Sequence, residues 1–246
     1  MDLDRITHPL RLAKGSHRPG SGKGCAMNVI SYINGDARVS DFPACSARPL
    51  AAFVQSCNDL LAGPGDYLSP QDSMLALDLG WQTVGTAGVA RSVVHAWVAD
   101  LLTSPSWGVV QYVRITTMQA IYDIAELHRR AARADMPRPA SWEAAYDVVV
   151  GAARSYGPAS TLPGAHALQA AWQSTLLADD HRQGALDAVT GSAVRAHALA
   201  TGTAASDRFA RITGCAIASW RHLASLDDPH RCRGVANQRS VRRVGA

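Results

Sequence analysis

The sequence predicts an all-α protein, an irregular bundle of seven to nine helices with flexible basic ends. Three observations lead to this prediction. More than forty of the 246 residues are alanine, the residue with the highest helix propensity. Apolar side chains recur at helical spacing in most segments, and Ser, Pro and Gly interrupt them where helices begin and end. The hydrophobic fraction of 47% and the charged fraction of 18% are typical of a folded globular chain.

The apolar periodicity places the predicted helices in a definite order along the chain. They are expected at 25–34, between Ser46 and Gly63, from Pro70 to a limit set by Gly80 and Gly85, and at 89–102, 108–134, 142–156, 165–177, 181–200 and 206–226. No internal repeat relates these segments to one another.

Start and stop signals fix the first three helices. Gly35 is the expected C-terminal stop of the first, because glycine readily adopts the left-handed conformation of a helix C-cap. Ser46 is the expected N-cap of the second, with Pro49 in its first turn. Ser69, followed directly by a proline, is the expected cap of the third, with the acidic Asp72 in the first turn.

The segment 108–134 carries the longest apolar stripe, and helix is favoured throughout it. Its first nine residues are rich in β-branched side chains, so a strand there is the alternative. Ser141 is the expected cap of the next helix, and Ser206 starts the last one. A soft domain boundary is expected near 136–140, because residues that precede proline disfavour helix.

Charge divides the chain into a basic arm, an acidic body and a basic tail. Residues 1–23 carry +3 and are predicted to form a flexible arm; residues 229–246 carry +5 and are predicted to be a disordered, arginine-rich tail. The helical domain, residues 24–228, therefore carries −4 of the net +4. Basic ends are either solvated or contact nucleic acid or an acidic partner. The predicted contact residues are Arg231, Arg233, Arg239, Arg242 and Arg243.

The expected location is the cytoplasm. No apolar run approaches the roughly 18 residues that span a bilayer, and the first residues lack the apolar core of a signal peptide. The five cysteines are odd in number and have no tight spacing, which is typical of free thiols in a reducing compartment.

The stretch 24–59 holds the most distinctive polar residues of the sequence. The candidate catalytic residues there are Cys25, Asp41, Cys45, Asn58 and Asp59. Cys25 follows a glycine at a predicted helix start, where the helix dipole lowers the pKa of a thiol, and the acidic residues are suited to orient a base. The alternative is a structural clasp, in which these side chains bind backbone groups and fasten the helix ends.

Zinc and nucleotide sites are weaker alternatives. The zinc candidates are His17, Cys25, Cys45 and Cys57, but their spacing includes no paired CxxC motif. The glycine-rich segment 20–24 resembles a phosphate loop, yet it lacks the first glycine, the hydroxyl residue after the lysine and a preceding strand. No metal or other cofactor is therefore predicted.

The same stretch resembles an uncharacterised family found mainly in actinobacteria and their phages. Members share an opening of the form Gly-x-Cys-x-Met-Glu, then Ser/Thr-Asp-x-Pro-x-Cys and Asn-Asp. The matching positions are Cys25, Met27, Gly35-Asp36, Ser40-Asp41, Pro43, Cys45, Pro49, Asn58-Asp59 and Gly85-Thr86. Asn28 stands where an acidic residue is usual, and Phe42 where histidine is usual. The resemblance covers 22–88; it implies a phage or prophage origin and no activity.

Three functions are consistent with these patterns. The first is a non-enzymatic helical binding or scaffold protein that contacts protein partners and, through its basic ends, nucleic acid. The second is a cysteine- or metal-dependent enzyme with its site in residues 24–59. The third is a virion or particle component. The absence of a complete catalytic motif favours the first.

Overall fold

The computed structural model describes residues 12–17, 22–157, 161–179, 184–202 and 206–226. These residues form nine α-helices and contain no β-strand, which confirms the predicted fold class. The helices are α1 Ala26–Asn34, α2 Arg48–Leu61, α3 Pro70–Gln82, α4 Arg91–Thr103, α5 Ile115–Ala132, α6 Pro139–Arg154, α7 Pro163–Ser174, α8 Ala185–Thr201 and α9 Ser206–Leu223. Two 3₁₀ turns, Val109–Tyr112 and Thr175–Ala178, lie before α5 and after α7.

Helix α2 lies near the centre of the bundle and packs against α1, α3, α8 and α9. The pairs α4–α5 and α7–α8 form the most extensive contacts, and small alanine side chains let the last two approach closely. An aromatic cluster fills the middle: the Trp97 ring lies edge-on to Phe53 at 6.3 Å and to Trp220 at 5.2 Å. Both indoles donate hydrogen bonds, Trp97 to the carbonyl of Ala216 and Trp220 to that of Thr86.

The predicted boundaries of α1 and α3 agree with the structure. Gly35 ends α1 in the left-handed conformation, with φ of 77°, and its N–H donates to the carbonyl of Tyr32. Ser69 accepts a hydrogen bond from the N–H of Asp72 at 3.1 Å and caps α3 as expected.

Two predicted N-caps are wrong. Helix α2 begins at Arg48 with Ala47 as its N-cap, and the hydroxyl of Ser46 instead lies 2.8 Å from that of Thr83. Helix α6 begins at Pro139 with Arg138 as its N-cap, so Ser141 lies inside the first turn. In both cases the proline of the first turn fixes the start, since its φ is preset for a helix and it has no N–H to satisfy.

The predicted helix over 108–134 is divided. Val109–Tyr112 forms a 3₁₀ turn, Val113 is extended, and α5 begins only at Ile115. The early residues therefore form neither the expected helix nor the alternative strand. Gly108 allows the backbone to pass close to Ser104 before the turn, because a Cβ at this position would lie 2.4 Å from the backbone nitrogen of Ser104.

The predicted flexible arm is wrong for residues 12–17. Leu12 and Ala13 are buried, and the N–H of Ala13 donates to the carbonyl of Gly24 at 2.9 Å. The N–H of Leu68 donates to the carbonyl of Leu12 at 2.9 Å, so this segment pairs with the α2–α3 connection. Residues 1–11 and 18–21 of the predicted arm and the arginine-rich tail, with its five predicted contact residues, lie outside the described residues.

The buried core continues across the soft boundary expected near 136–140. Side chains of α5, such as Ile124, and of α6, such as Val149, belong to one core with those of α7 and α8. Among the helices described, none is long and apolar enough to cross a membrane.

Candidate functional site

A network of polar side chains joins the segment 12–17, the start of α1 and the end of α2; we call it the N-terminal clasp (residues 12–17, 25–28, 41 and 55–59). Asn58, which is fully buried, accepts a hydrogen bond from the N–H of Ala26 at 3.2 Å and donates one to the carbonyl of Ala13 at 2.9 Å. Asp59 accepts from the N–H of Gly15 at 2.8 Å. The Asn-Asp pair thus satisfies backbone groups from two other segments.

Asp41 is the second anchor of the N-terminal clasp. Its two carboxylate oxygens accept hydrogen bonds from the amides of Asn28 at 2.9 Å and Gln55 at 3.2 Å. Asn28 also accepts from the backbone N–H of Cys25 at 3.1 Å, so it links Cys25 to Asp41. An acidic residue in place of Asn28 would put a like charge against Asp41, whereas the amide donates a hydrogen bond.

The connection between α1 and α2 is held in a similar way. Asp36 accepts from the hydroxyl of Ser31 at 2.7 Å and from the N–H of Ala44 at 3.2 Å, and the hydrogen bond from Ser31 lowers the pKa of Asp36. Phe42, which stands where histidine is usual in the resembling family, packs under the guanidinium of Arg48 at 4.2 Å. The turn residues therefore serve packing and charge-stabilised contacts.

The expected activation of Cys25 is wrong. Cys25 does lie at the N-cap of α1, but it is fully buried, and burial raises the pKa of its thiol to about 12 despite the backbone hydrogen bonds that act in the opposite direction. The nearby charge of Asp41, 3.5 Å from the sulfur, raises that pKa further. A thiol in this environment stays protonated at neutral pH and is a poor nucleophile.

The other candidate ligands of the stretch are not brought together. Cys57 is buried in α2 and burial raises its pKa to about 12, while the half-buried Cys45 lies beside Ser46, with 3.8 Å between sulfur and hydroxyl. His17 contacts the carbonyl of Ala13 at 3.2 Å. Within the described ranges, no three His, Cys, Asp or Glu side chains converge to hold a metal ion.

A second polar network lies in the core between α4, α5 and α7; we call it the histidine chain (Arg91, His95, His128 and Ser174). The Nδ1 atoms of His95 and His128 are 2.8 Å apart. Nε2 of His128 lies 3.0 Å from the hydroxyl of Ser174, and the guanidinium of Arg91 donates to Nε2 of His95 at 3.3 Å. Both rings and Ser174 are buried.

The hydrogen bonds of the histidine chain all run in one direction, from Arg91 through His95 and His128 to Ser174. Ser174 donates its proton to the carbonyl of Ala171 at 2.7 Å, so its oxygen accepts from Nε2 of His128. Nδ1 of His128 must then accept from His95, whose Nε2 accepts from Arg91. Both rings are neutral: burial, and then the charge of Arg91, lowers the pKa of His95 to about 4, and burial lowers that of His128 well below its usual value. His128 consequently has no free nitrogen to deprotonate Ser174.

A surface cavity of about 770 Å³ opens beside the histidine chain, between α6, α7 and the 3₁₀ turn that follows α7; we call it the α6–α7 cavity. Its aromatic lining consists of Trp142, Tyr146 and Trp172. The rings of Tyr146 and Trp172 meet edge to face, with centroids 5.9 Å apart. Trp142 is 4% exposed and packs on its other side against His128, at 4.9 Å between centroids.

The α6–α7 cavity also has acidic walls. Glu143, Asp147 and Asp179 line it, and no lysine or arginine among the described residues does. Glu143 and Asp147 are exposed, lie four residues apart on one face of α6, and make no ion pair or hydrogen bond with any residue that the structure describes. The indole N–H of Trp142 is likewise buried without an acceptor in this part of the chain. The cavity therefore presents polar groups that the fold leaves unpaired.

The α6–α7 cavity is absent from the sequence-based predictions. The segment 136–140 has the pattern of a domain boundary, although Met136, Pro137 and Pro139 form one rim of the cavity. A signal was present: Trp142 and Tyr146, like Glu143 and Asp147, are four residues apart on α6, which places aromatic and acidic side chains on neighbouring faces. Trp172 of α7 completes the site only through tertiary packing.

Comparison with protein-family models, with curated proteins and with solved structures finds no match to this chain.

Proposed function

We propose that this chain is a non-enzymatic, all-helical binding protein whose ligand site is the α6–α7 cavity. One observation carries the proposal: this cavity combines three aromatic side chains with two carboxylates, Glu143 and Asp147, that have no partner among the described residues. A concave, mainly apolar site with a few unpaired polar groups is the usual form of a small-molecule binding site. A volume of about 770 Å³ is sufficient for a ligand of that kind.

The reactive groups elsewhere support binding over catalysis. Burial raises the pKa of Cys25 to about 12, and the ring nitrogen of His128 that faces Ser174 carries a hydrogen. Neither pair, Cys25 with Asp41 or Ser174 with His128, has the activated nucleophile that acyl-transfer chemistry requires. The polar groups of both networks are already engaged within the protein.

The proposal is tested with three probes that share a six-carbon chain and differ in charge: hexyltrimethylammonium, hexanol and hexanoate. We expect at least one to quench the fluorescence of the cavity tryptophans and to lose that effect in Tyr146→Ala. Tyr122→Ala is the matched control, because Tyr122 is also partly exposed but lies on α5 outside the cavity lining. If a folded protein binds none of the three probes at millimolar concentration, the proposed function is wrong.

A protein partner is also part of this proposal, and the exposed faces of α1 and α3 supply the contact surface. The two helices pack against each other and carry four large exposed apolar side chains, Tyr32, Ile33, Met74 and Trp81. Exposed apolar groups on neighbouring elements are characteristic of protein-interaction surfaces. The proposed phage or prophage origin rests on the resemblance alone, and no observation of the fold bears on it.

Nucleic-acid contact through the basic ends is proposed on charge alone. Five arginines without an acidic residue follow residue 228. Binding to phosphates through such residues weakens steeply with salt, since counterions are released on association. We expect any affinity for a DNA duplex to fall steeply between low and physiological salt, and a salt-independent affinity would contradict contact through these arginines.

A further inference from the structure

We infer that the ligand of the α6–α7 cavity is an organic cation, a substituted ammonium group on a small apolar body. This inference rests on the proposed function and specifies its ligand class. It follows from the aromatic side chains that line the cavity and from the two like-charged carboxylates beside them.

The aromatic side chains supply the first part of the argument. Tyr146 and Trp172 both line the cavity and contact each other edge to face, nearly perpendicular at 88°. Ring faces of Trp and Tyr carry negative electrostatic potential and attract cations, with substituted ammonium ions bound in aromatic cages as the best-known case. The buried Trp142 adds a third ring to the same cavity.

The carboxylates supply the second part. Glu143 and Asp147 repel each other along α6, since like charges four residues apart destabilise a helix. On α5, by contrast, Glu126 is paired with Arg129 at 3.6 Å and with Arg133 at 3.1 Å. Glu143 and Asp147 have no such partner in the described residues. A bound cation would neutralise this repulsion, whereas an anionic ligand would increase it.

Trp142 forms the buried floor of the same cavity, since it lines the cavity and is only 4% exposed. Buried donors in folded proteins nearly always have an acceptor. The indole N–H of Trp142 has none within the described chain.

Choline and 3,3-dimethyl-1-butanol test the inference, because they have the same shape and differ only in the positive charge. Binding to the full chain is followed by tryptophan fluorescence and by calorimetry at low salt. We expect choline to bind about tenfold more tightly than its neutral analogue. We also expect the preference to fall to about threefold or less in the double variant Glu143→Gln/Asp147→Asn, with circular dichroism showing an unchanged fold.

The control double variant is Asp78→Asn/Glu126→Gln, which removes the same net charge from α3 and α5, outside the cavity lining. It should keep the preference for choline, which separates local recognition from the overall charge of the protein. Equal binding of choline and the neutral analogue would overturn the cation inference and leave the binding cavity in place. Absence of binding by both would also overturn the cation inference, and the cavity as a ligand site would be overturned if the folded protein bound none of the three hexyl-chain probes either.

Discussion

The N-terminal clasp and the α6–α7 cavity are both rich in polar side chains, but they differ in how those side chains are paired. In the clasp, Asn58, Asp59 and Asp41 each bind backbone or side-chain groups of another segment. In the cavity, Glu143 and Asp147 contact no such group in the described residues. The polar side chains of the N-terminal clasp are thus hydrogen-bonded within the protein. The carboxylates without a partner in the described residues lie on α6, outside the stretch of sequence that holds the candidate catalytic residues.

The difference separates structural from binding roles. A buried polar group with all its hydrogen bonds made stabilises one arrangement of the chain and has little left to offer a ligand. Glu143 and Asp147 lie beside aromatic rings, make no contact with a charged or hydrogen-bonding group of the described residues, and are available to contact another molecule. Trp142 lies at the border of the two environments, with His128 on one side and the cavity on the other.

Acidification is expected to cause the largest change in the free energy of unfolding, because it acts on the buried histidines. Burial keeps His95, His128 and His197 neutral; the pKa of His95 is lowered to about 4 and that of His197 to about 3. In the unfolded chain the histidine side chains have their ordinary pKa of about 6.5. Stability is therefore complete above pH 6.5 and falls toward pH 4, by up to about 1.4 kcal/mol per pH unit for each histidine.

Urea unfolding at pH 7, 6 and 5 measures this loss. The variant His222→Gln should leave the slope unchanged, since His222 is exposed in the folded chain. Equal midpoints at pH 7 and pH 5 would show that the buried rings do not remain neutral.

Removal of one clasp side chain is expected to have the next largest effect. Asn58→Ala leaves the buried N–H of Ala26 without its partner and removes one of the two contacts of the Ala13 carbonyl, which keeps the contact with His17. At about 1–3 kcal/mol for an unsatisfied group, we expect the free energy of unfolding to fall by about 2 kcal/mol. Asn34→Ala is the control, because Asn34 is exposed and, among the residues described, its side chain bonds only Asp36. A loss below about 1 kcal/mol would show that the clasp is dispensable.

Thiol modification tests whether Cys25 belongs to a structural clasp or to a reactive site. We expect Ellman's reagent to modify the half-buried Cys45 and Cys215 at least about tenfold faster than Cys25 and Cys57, whose pKa values burial raises to about 12. The Cys25→Ser variant should therefore retain every fast-reacting thiol of the parent protein. Loss of a fast thiol in this variant would restore the catalytic hypothesis.

The smallest expected change in stability comes from the like-charged carboxylates of the α6–α7 cavity. Asp147→Asn removes the repulsion from Glu143, so the ligand-free protein should gain about 0.2–0.5 kcal/mol of stability. Glu126→Gln should change stability in the opposite direction, because Glu126 is paired with Arg129 and Arg133. Thermal unfolding at low salt measures both. A loss of stability in Asp147→Asn would mean that this carboxylate has a partner in the folded protein.

The sequence predicted the helices most reliably where local chemistry decides. Ser69 and Gly35 act through neighbours within five residues, and both function as expected. Ser46 and Ser141 fulfil the same local pattern, but a proline in the first turn sets the helix start. The division of the segment 108–134 depends on packing around Gly108, which no local pattern reports.

The sites were predicted to a smaller extent. Cys25, Asp41, Asn58 and Asp59 do lie in one network, as their proximity in the sequence suggested. Burial reverses the expected change in the pKa of Cys25, and burial is a tertiary property. The α6–α7 cavity requires Trp172 to meet α6, across a sequence separation that periodicity does not bridge.

The histidine chain also has a consequence for how the helices align. Alanine-rich faces such as those of α7 and α8 are nearly uniform, so a shift of one helix along another costs little shape complementarity. The chain of donors from Arg91 to Ser174 runs through α4, α5 and α7 in one direction, and a shift of one helical turn would break it. These four side chains therefore define the axial register of three helices, which the small residues around them leave undetermined.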